Sequence, residues 1–120
     1  MDILFYEQKN GRSPVYDWLE KLKKTDKKQY KKVAGYLDIL SQLGRETREP
    51  YVKHLQGKIY ELRPQRNRIL FFFFTDDKIV LLNQFVKKTN KTPDNELKKA
   101  EKCRKDFIER VRTNENVGRF

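Results

Sequence analysis

The feature that most constrains the fold is a run of six apolar residues, Ile69 to Phe74, followed by a second largely apolar segment, Ile79 to Val86. Side chains alternate across a sheet, so consecutive apolar positions indicate strands that are covered on both faces. Asp76-Asp77-Lys78 between them predicts a tight hairpin turn. Residues 58 to 64 alternate, with Tyr60 and Leu62 on the face that we assign to the core and Ile59, Glu61 and Arg63 on the other, so we expect Glu61 and Arg63 to point away from the core. The three segments predict an antiparallel meander with a central strand over 68–75.

Helical periodicity precedes this meander. Ser13-Pro14 predicts a helix start, because serine favours the N-cap and proline fits the first helical position. Apolar residues then recur at helical spacing at Val15, Trp18, Leu19 and Leu22. Thr25-Asp26 begins a second helix, and Gly44 is a typical C-terminal stop. The short connection between the two predicts a helical hairpin.

A last helix is predicted after Thr92, which we expect to be its N-cap, with Cys103 on its apolar side. Residues 3 to 8 predict a short first strand. The expected order is β-α-α-β-β-β-α, an α/β (α+β) fold with a small, mainly antiparallel sheet and helices packed on it. We expect a single domain over 1–112 and a flexible tail over 113–120, where no pattern is visible.

The charge balance points to a polyanionic partner. The 120-residue chain carries 28 Lys and Arg against 17 Asp and Glu, a formal net charge of +11. Eight Phe and six Tyr argue against a disordered polycation, because such chains lack aromatic residues. Self-repulsion on this scale is costly, so we favour a nucleic acid or acidic protein partner over a merely solubilising surface.

Several classes of protein and site are disfavoured. The single cysteine excludes an internal disulfide framework and a cysteine-based zinc site. We find no paired-His metal motif, nucleotide-binding glycine loop or Ser-His-Asp arrangement, and predict neither metal nor cofactor. No apolar run is long enough for a membrane helix, and the N-terminus resembles no signal peptide. We therefore expect a cytoplasmic protein without membrane contact.

The cations near the strands differ from those on the helices. Residues 20 to 32 hold seven Lys, which a solvated helix face explains. Helix solvation does not explain the basic residues on or beside the strands, which are Lys53, His54, Lys58, Arg63, Arg66 and Arg68. Between Lys53 and Arg68, Glu61 is the only acidic residue. Lys87 and Lys88 end the last predicted strand, and antiparallel pairing can bring them near Arg63 and Arg68. We predict a cationic rim suited to an RNA backbone.

Three sequence blocks resemble HigB-like toxins of the RelE/ParE superfamily. They read KHLQGKIYELR at 53–63, RILFFF at 68–73 and FVKKTNKTP at 85–93. With the element order, the resemblance covers residues 3 to 110 and implies a RelE-like fold. It implies a ribosome-dependent endoribonuclease of a type II toxin–antitoxin system that cleaves translated messenger RNA. The implied partners are the ribosome, messenger RNA and a HigA-like helix-turn-helix antitoxin, through which the complex would bind operator DNA.

The resemblance also implies the site residues. The family's basic site maps most securely to Arg63, Arg68, Lys87 and Lys88, whereas Lys58 and Glu61 match less diagnostically. His54 is a further catalytic candidate. Lys53, Arg66 and Lys91 are candidates for RNA binding. Two other functions stay open: inhibition of DNA gyrase, as in the ParE branch, and RNA binding without catalysis in a regulatory protein of a mobile element.

Cleavage of RNA without a metal needs a base for the 2′-OH, cations for the phosphate and an acid for the leaving oxygen. Arg63 and Arg68 suit the phosphate, because a guanidinium binds it through two parallel hydrogen bonds. The base is open among Glu61, His54 and the crowded Lys58, Lys87 and Lys88. Glu61 could instead hold Arg63 or Arg66 by an ion pair, and His54 could be a surface residue.

Further expectations concern packing and stacking. We expect Cys103, Trp18 and residues 71–74 in the core, and Tyr51 as a base-stacking residue.

Overall fold

The computed structural model describes residues 1–113 and 118–119. Its elements in chain order are β1 (Asp2–Tyr6), α1 (Pro14–Thr25), α2 (Lys27–Leu43), a 3₁₀ turn (Gly44–Glu46), β2 (Val52–Gln56), β3 (Ile59–Leu62), β4 (Asn67–Phe74), β5 (Lys78–Val86), α3 (Asp94–Arg112) and β6 (Gly118–Arg119). The predicted mixed fold, a sheet with helices packed on it, is confirmed. Strands β2 and β6 are additions to the predicted order.

The sheet has the strand order β2-β3-β4-β5-β1-β6. Strands β2 to β5 pair antiparallel, which includes the predicted meander of β3, β4 and β5. Strand β1 pairs parallel with β5, with Asp2 opposite Lys78 and Phe5 opposite Leu81. A parallel pair needs a crossover connection, and α1 and α2 lie within that connection.

Helices cover both faces of the sheet, which explains the consecutive apolar residues of β4. Ile69 and Phe71 belong to the core beneath α1 and α2, together with residues such as Val15 and Leu40. Leu70 and Phe72 belong to the core beneath α3, together with residues such as Ala100 and Phe107. Phe73 and Phe74 are half-buried at the end of the strand. Trp18 packs against the first core, and Cys103 packs half-buried against the second.

The helix ends follow the sequence signals only in part. Asp26 caps α2 by accepting a hydrogen bond from the Gln29 backbone, and Gly44 ends it at φ 55°. Ser13 stands at the N-cap of α1, but its hydroxyl donates to the Tyr6 carbonyl instead of capping the helix. The prediction of Thr92 as the cap of α3 is wrong, because the helix begins at Asp94 with Pro93 at the cap position.

The C-terminal residues are described only in part. Thr113 is the C-cap of α3, and Gly118–Arg119 pair antiparallel with Tyr6 and Phe5 of β1. This short pairing has no counterpart in the sequence prediction for residues 113–120. Residues 114–117 and 120 of that predicted tail lie outside the described residues. In the described part of the chain, no helix has the length and apolar character needed to cross a membrane.

Candidate nucleic-acid interface

The ends of three neighbouring strands bring basic side chains to one cleft. Arg63 directly follows β3, Arg68 is the second residue of β4, and Lys87 and Lys88 directly follow β5. Arg68 lies opposite Phe85 in the β4–β5 register. All four cations line the same cleft. This convergence results from antiparallel pairing, because β3 and β5 end where β4 begins.

Glu61 lines the cleft and contacts both of its arginines. One carboxylate oxygen lies 3.4 Å from Nε of Arg63 and 3.7 Å from Nε of Arg68. The other accepts a hydrogen bond of 2.7 Å from the Thr92 hydroxyl. The sequence predicted that Glu61 and Arg63 point away from the core. That prediction is wrong for Glu61, which is only 3% exposed, because α3 and the loop before it cover this second face.

Arg68 is held in place on two sides. Its Nη1 donates hydrogen bonds of 2.8 Å to the carbonyl oxygens of Gln65 and Asn67. Burial lowers the pKa of Arg68, and the Glu61 carboxylate offsets part of this effect. Arginine keeps its charge in proteins, so the guanidinium is a fixed cation whose position does not depend on a ligand.

Lysines surround this ion-pair group. Lys87, Lys88 and Lys91 lie in or beside the loop that joins β5 to α3. Lys53 lies on strand β2 opposite Glu61 and lines the adjoining cavity of about 220 Å³. Among the described residues that line the cleft and this cavity, Glu61 is the one carboxylate. The surface is therefore strongly positive and suits an anionic backbone.

Three sequence candidates do not line the basic cleft, although His54 borders the adjoining cavity. Strand β2 alternates, so the His54 side chain lies on the opposite face from Glu61, with its ring centroid 4.7 Å from that of Tyr60. Lys58 is exposed in the β2–β3 turn and does not line the cleft. Arg66 lies in the β3–β4 turn, where its Nη2 is 3.5 Å from the Lys87 carbonyl oxygen.

Thr92 is the site residue that sequence reasoning missed. It connects the lysine loop to Glu61 across 31 sequence positions. No local pattern signals such a contact, because a threonine before a proline is also typical of a helix start. Tyr51, expected to stack on bases, instead packs edge-on against Tyr36 at 5.1 Å.

Residues 20–105 match the family model described as "Phage derived protein Gp49-like (DUF891)". The chain belongs to this family. Gp49-like proteins are a RelE/ParE-like toxin family of toxin–antitoxin systems, which supports the sequence resemblance at that level. The matched residues of this Gp49-like chain include all those that line the cleft. No curated protein matches the chain in sequence.

A cavity larger than the basic cleft lies elsewhere in the described part of the Gp49-like chain. It measures about 480 Å³ and lies between β1, β5 and α3, where Tyr6, Cys103 and Asp106 line it. The described residues hold no group of three or more His, Cys, Asp or Glu side chains placed to bind a metal. Charge and convergence of strand ends, not cavity size, identify the basic cleft as the candidate site.

The buried ion pairs of Glu61 give a testable stability effect. Glu61→Gln removes a buried charge that faces Arg68, whose side chain is 7% exposed. We expect the free energy of unfolding to fall by about 3 kcal/mol, as for other broken buried pairs. Glu49→Gln is the matched control, since Glu49 lies 3.4 Å from Arg63 but is 65% exposed. It should cost less than about 1 kcal/mol. Equal losses in urea unfolding would contradict the buried role of Glu61.

Proposed function

We propose that this chain is a HigB-like toxin of a type II toxin–antitoxin system and that it cleaves translated messenger RNA on the ribosome, in the cytoplasm. One observation carries the proposal. Arg63 and Arg68 share the buried Glu61 carboxylate at the base of a cleft that is otherwise lined by lysines among its described charged residues. Such a group supplies fixed positive charge where a phosphate would bind.

The proposed chemistry is attack of the ribose 2′-OH on the adjacent phosphate. A base accepts the 2′-OH proton, the phosphorus–oxygen bond to the 5′-oxygen breaks and an acid protonates that oxygen, so a cyclic phosphate and a 5′-OH result. Charge grows on the phosphate oxygens in the transition state, and preorganised donors are most effective there. Arg63 and Arg68 fill this role. Their guanidinium groups supply the charge stabilisation, so the step needs no metal ion.

Glu61 is better suited to positioning than to proton transfer. Both of its oxygens are engaged, one by the two guanidinium groups and the other by Thr92. A base must come within hydrogen-bond reach of the proton that it removes. Lys87 and Lys88 are the remaining base candidates in the cleft, since His54 and Lys58 do not line it.

The proposed partners follow from the toxin–antitoxin family. A HigA-like helix-turn-helix antitoxin, encoded next to this chain, neutralises it, and the pair binds operator DNA through the antitoxin. Lys53, Lys91 and Arg66 contact RNA phosphates beside the reacting one. The ribosome supplies the messenger RNA in an extended form.

A translation assay tests the proposal. Purified protein is added to a reconstituted translation reaction, and primer extension maps the ends of the messenger RNA. Cuts that need both the ribosome and Arg68 support the endoribonuclease. Intact messenger RNA with inhibited supercoiling by DNA gyrase would favour the ParE-like function. RNA binding without cleavage would favour a regulatory protein.

Binding to ribosomes should weaken steeply with salt. Each lysine or arginine that neutralises a phosphate releases counterions, with a slope of about −0.7 per contact for single strands. Five or more contacts predict a slope of log affinity against log salt of about −3 or steeper. Filter binding between low and physiological salt measures it. A flat response would mean that the positive charge serves solubility alone.

A further inference from the structure

A second concave surface lies on the opposite face of the sheet from the basic cleft. It has a volume of about 320 Å³. Its lining residues include two arginines and three rings: Arg45, Arg48, His54, Tyr60 and Phe73. His54, a catalytic candidate from the sequence, lines this pocket as well as the cavity beside the basic cleft. We call it the aromatic–arginine pocket.

The exposed ring of this pocket is that of His54, because Tyr60 stacks on Phe71 at 5.7 Å behind it. The His54 and Tyr60 centroids are 4.7 Å apart with a tilt of 43°, and Tyr60 meets Phe73 edge-on at 5.1 Å. Arg45 lies over the Phe73 ring, with Cζ 4.7 Å from its centroid. His54 is exposed, whereas Tyr60 and Phe73 are half-buried. Aromatic side chains and guanidinium planes in this arrangement are typical stacking partners of unpaired bases.

Hydrogen bonds fix several of these groups. Nε2 of His54 donates to the Gly57 carbonyl at 2.8 Å, because a carbonyl oxygen can only accept. Arg45 donates to the Thr75 carbonyl at 3.0 Å. Arg48 donates to the Arg45 carbonyl at 2.9 Å. A pocket with its groups held in place loses less conformational entropy when a ligand binds.

The charge of the pocket identifies the class of its ligand. The described lining residues include two arginines and no carboxylate. We propose that the aromatic–arginine pocket binds one nucleotide of single-stranded RNA, with the base stacked on the exposed His54 ring and a phosphate on Arg45 or Arg48. The choice of RNA rests on the proposed function. Lys53 and His54 are neighbours on β2 with side chains on opposite faces, so RNA that wraps this sheet edge reaches both sites.

The single histidine gives a direct test. Its ring protons are the only histidine signals in a proton NMR spectrum. A short single-stranded oligoribonucleotide with 2′-O-methyl groups, which cannot be cleaved, is titrated at fixed pH into the full chain. We expect both His54 ring signals to move upfield, because a stacked base shields them. Inorganic phosphate at the same concentration should not reproduce this shift.

Variants extend the test to affinity. His54→Ala should weaken binding of the labelled oligonucleotide by about tenfold in fluorescence anisotropy, as for other stacking residues. Arg45→Ala should reduce both the affinity and the His54 shift. Arg12→Ala is the matched control, because Arg12 is an exposed arginine outside the pocket. It should leave the His54 shift unchanged.

The outcomes separate this inference from the proposed function. If the oligonucleotide binds but the His54 signals stay in place, the pocket proposal is wrong. This result does not contradict the proposed cleavage at the basic cleft. If the signals move upfield but no messenger RNA is cut, the pocket proposal stands and the endoribonuclease does not. An equal shift with phosphate alone would also overturn a nucleotide-stacking role.

Discussion

Arg68→Ala and Arg63→Ala are each expected to lower RNA cleavage by about 10²- to 10³-fold, which is the usual loss when one preorganised donor is removed. Toxicity should disappear together with RNA cleavage. Replacement by lysine should not restore full activity at either position. A guanidinium has five N–H donors in a fixed fork, so it can bind protein oxygens and still donate to a phosphate, whereas an ammonium is a point charge on a flexible stem. Cleavage rates and growth curves measure the effect.

Stability must be measured beside activity, because the two arginines differ in burial. The Arg63 side chain is 24% exposed and Glu61 keeps Arg68 as a partner without it, so Arg63→Ala should cost less stability than Arg68→Ala. Arg68 is only 6% exposed and bonds two carbonyl oxygens, so Arg68→Ala should lower the melting temperature more. Arg63→Ala is therefore the cleaner test of catalysis. An inactive Arg63 variant that melts like the parent protein would assign the loss to chemistry.

The helical hairpin supplies the controls. Lys23 and Lys27 are exposed there, outside the basic cleft. Lys23→Ala and Lys27→Ala should leave toxicity nearly intact. If these variants are inactive while the Arg63 and Arg68 variants remain toxic, the active surface lies on the hairpin instead of the cleft.

Expression of this chain alone is expected to arrest growth and translation in a bacterial host. Co-expression of the neighbouring antitoxin frame should restore both. The basis is the Gp49-like toxin family together with the charge of the cleft. Incorporation of a labelled amino acid after induction measures translation directly.

The arginine variant is the control for this effect. Arg63→Ala should accumulate to high level without arrest and without the antitoxin. Normal growth of cells that contain abundant folded parent protein would contradict the toxin function. Arrest with continued translation and relaxed DNA would instead indicate gyrase as the target.

Local patterns were sufficient for most of the fold. Consecutive apolar residues in β4 correctly indicated a strand covered on both faces, and Pro14 and Gly44 marked helix ends. Strand β2 was missed because its sequence, VKHLQ, has only two apolar residues and a high share of polar ones. Strand β1 was expected, but its parallel partner was not. Pairing of Asp2 with Lys78 depends on the whole topology, which no local pattern contains.

The site was predictable to the extent that strand pairing brings distant residues together. Arg63, Arg68 and Lys87 were placed near one another from the meander alone, and they do share a cleft. The burial of Glu61 was not foreseen, because it depends on where α3 packs. The side of the sheet on which His54 lies follows from β2, which was not predicted. Thr92 was assigned a local role when its partner is distant.

The parallel pairing of β1 with β5 has a consequence for synthesis of the protein. Because β1 has no sheet partner before β5, the nascent chain cannot assemble its central sheet until β5 has left the ribosome. Contacts of such sequence separation also form late and slowly in folding. Arg68 and Lys87 meet only when β4 and β5 pair, so a shorter nascent chain carries no assembled cleft. Under the proposed function, a nascent toxin therefore cannot act on the ribosome that is making it for most of its own synthesis.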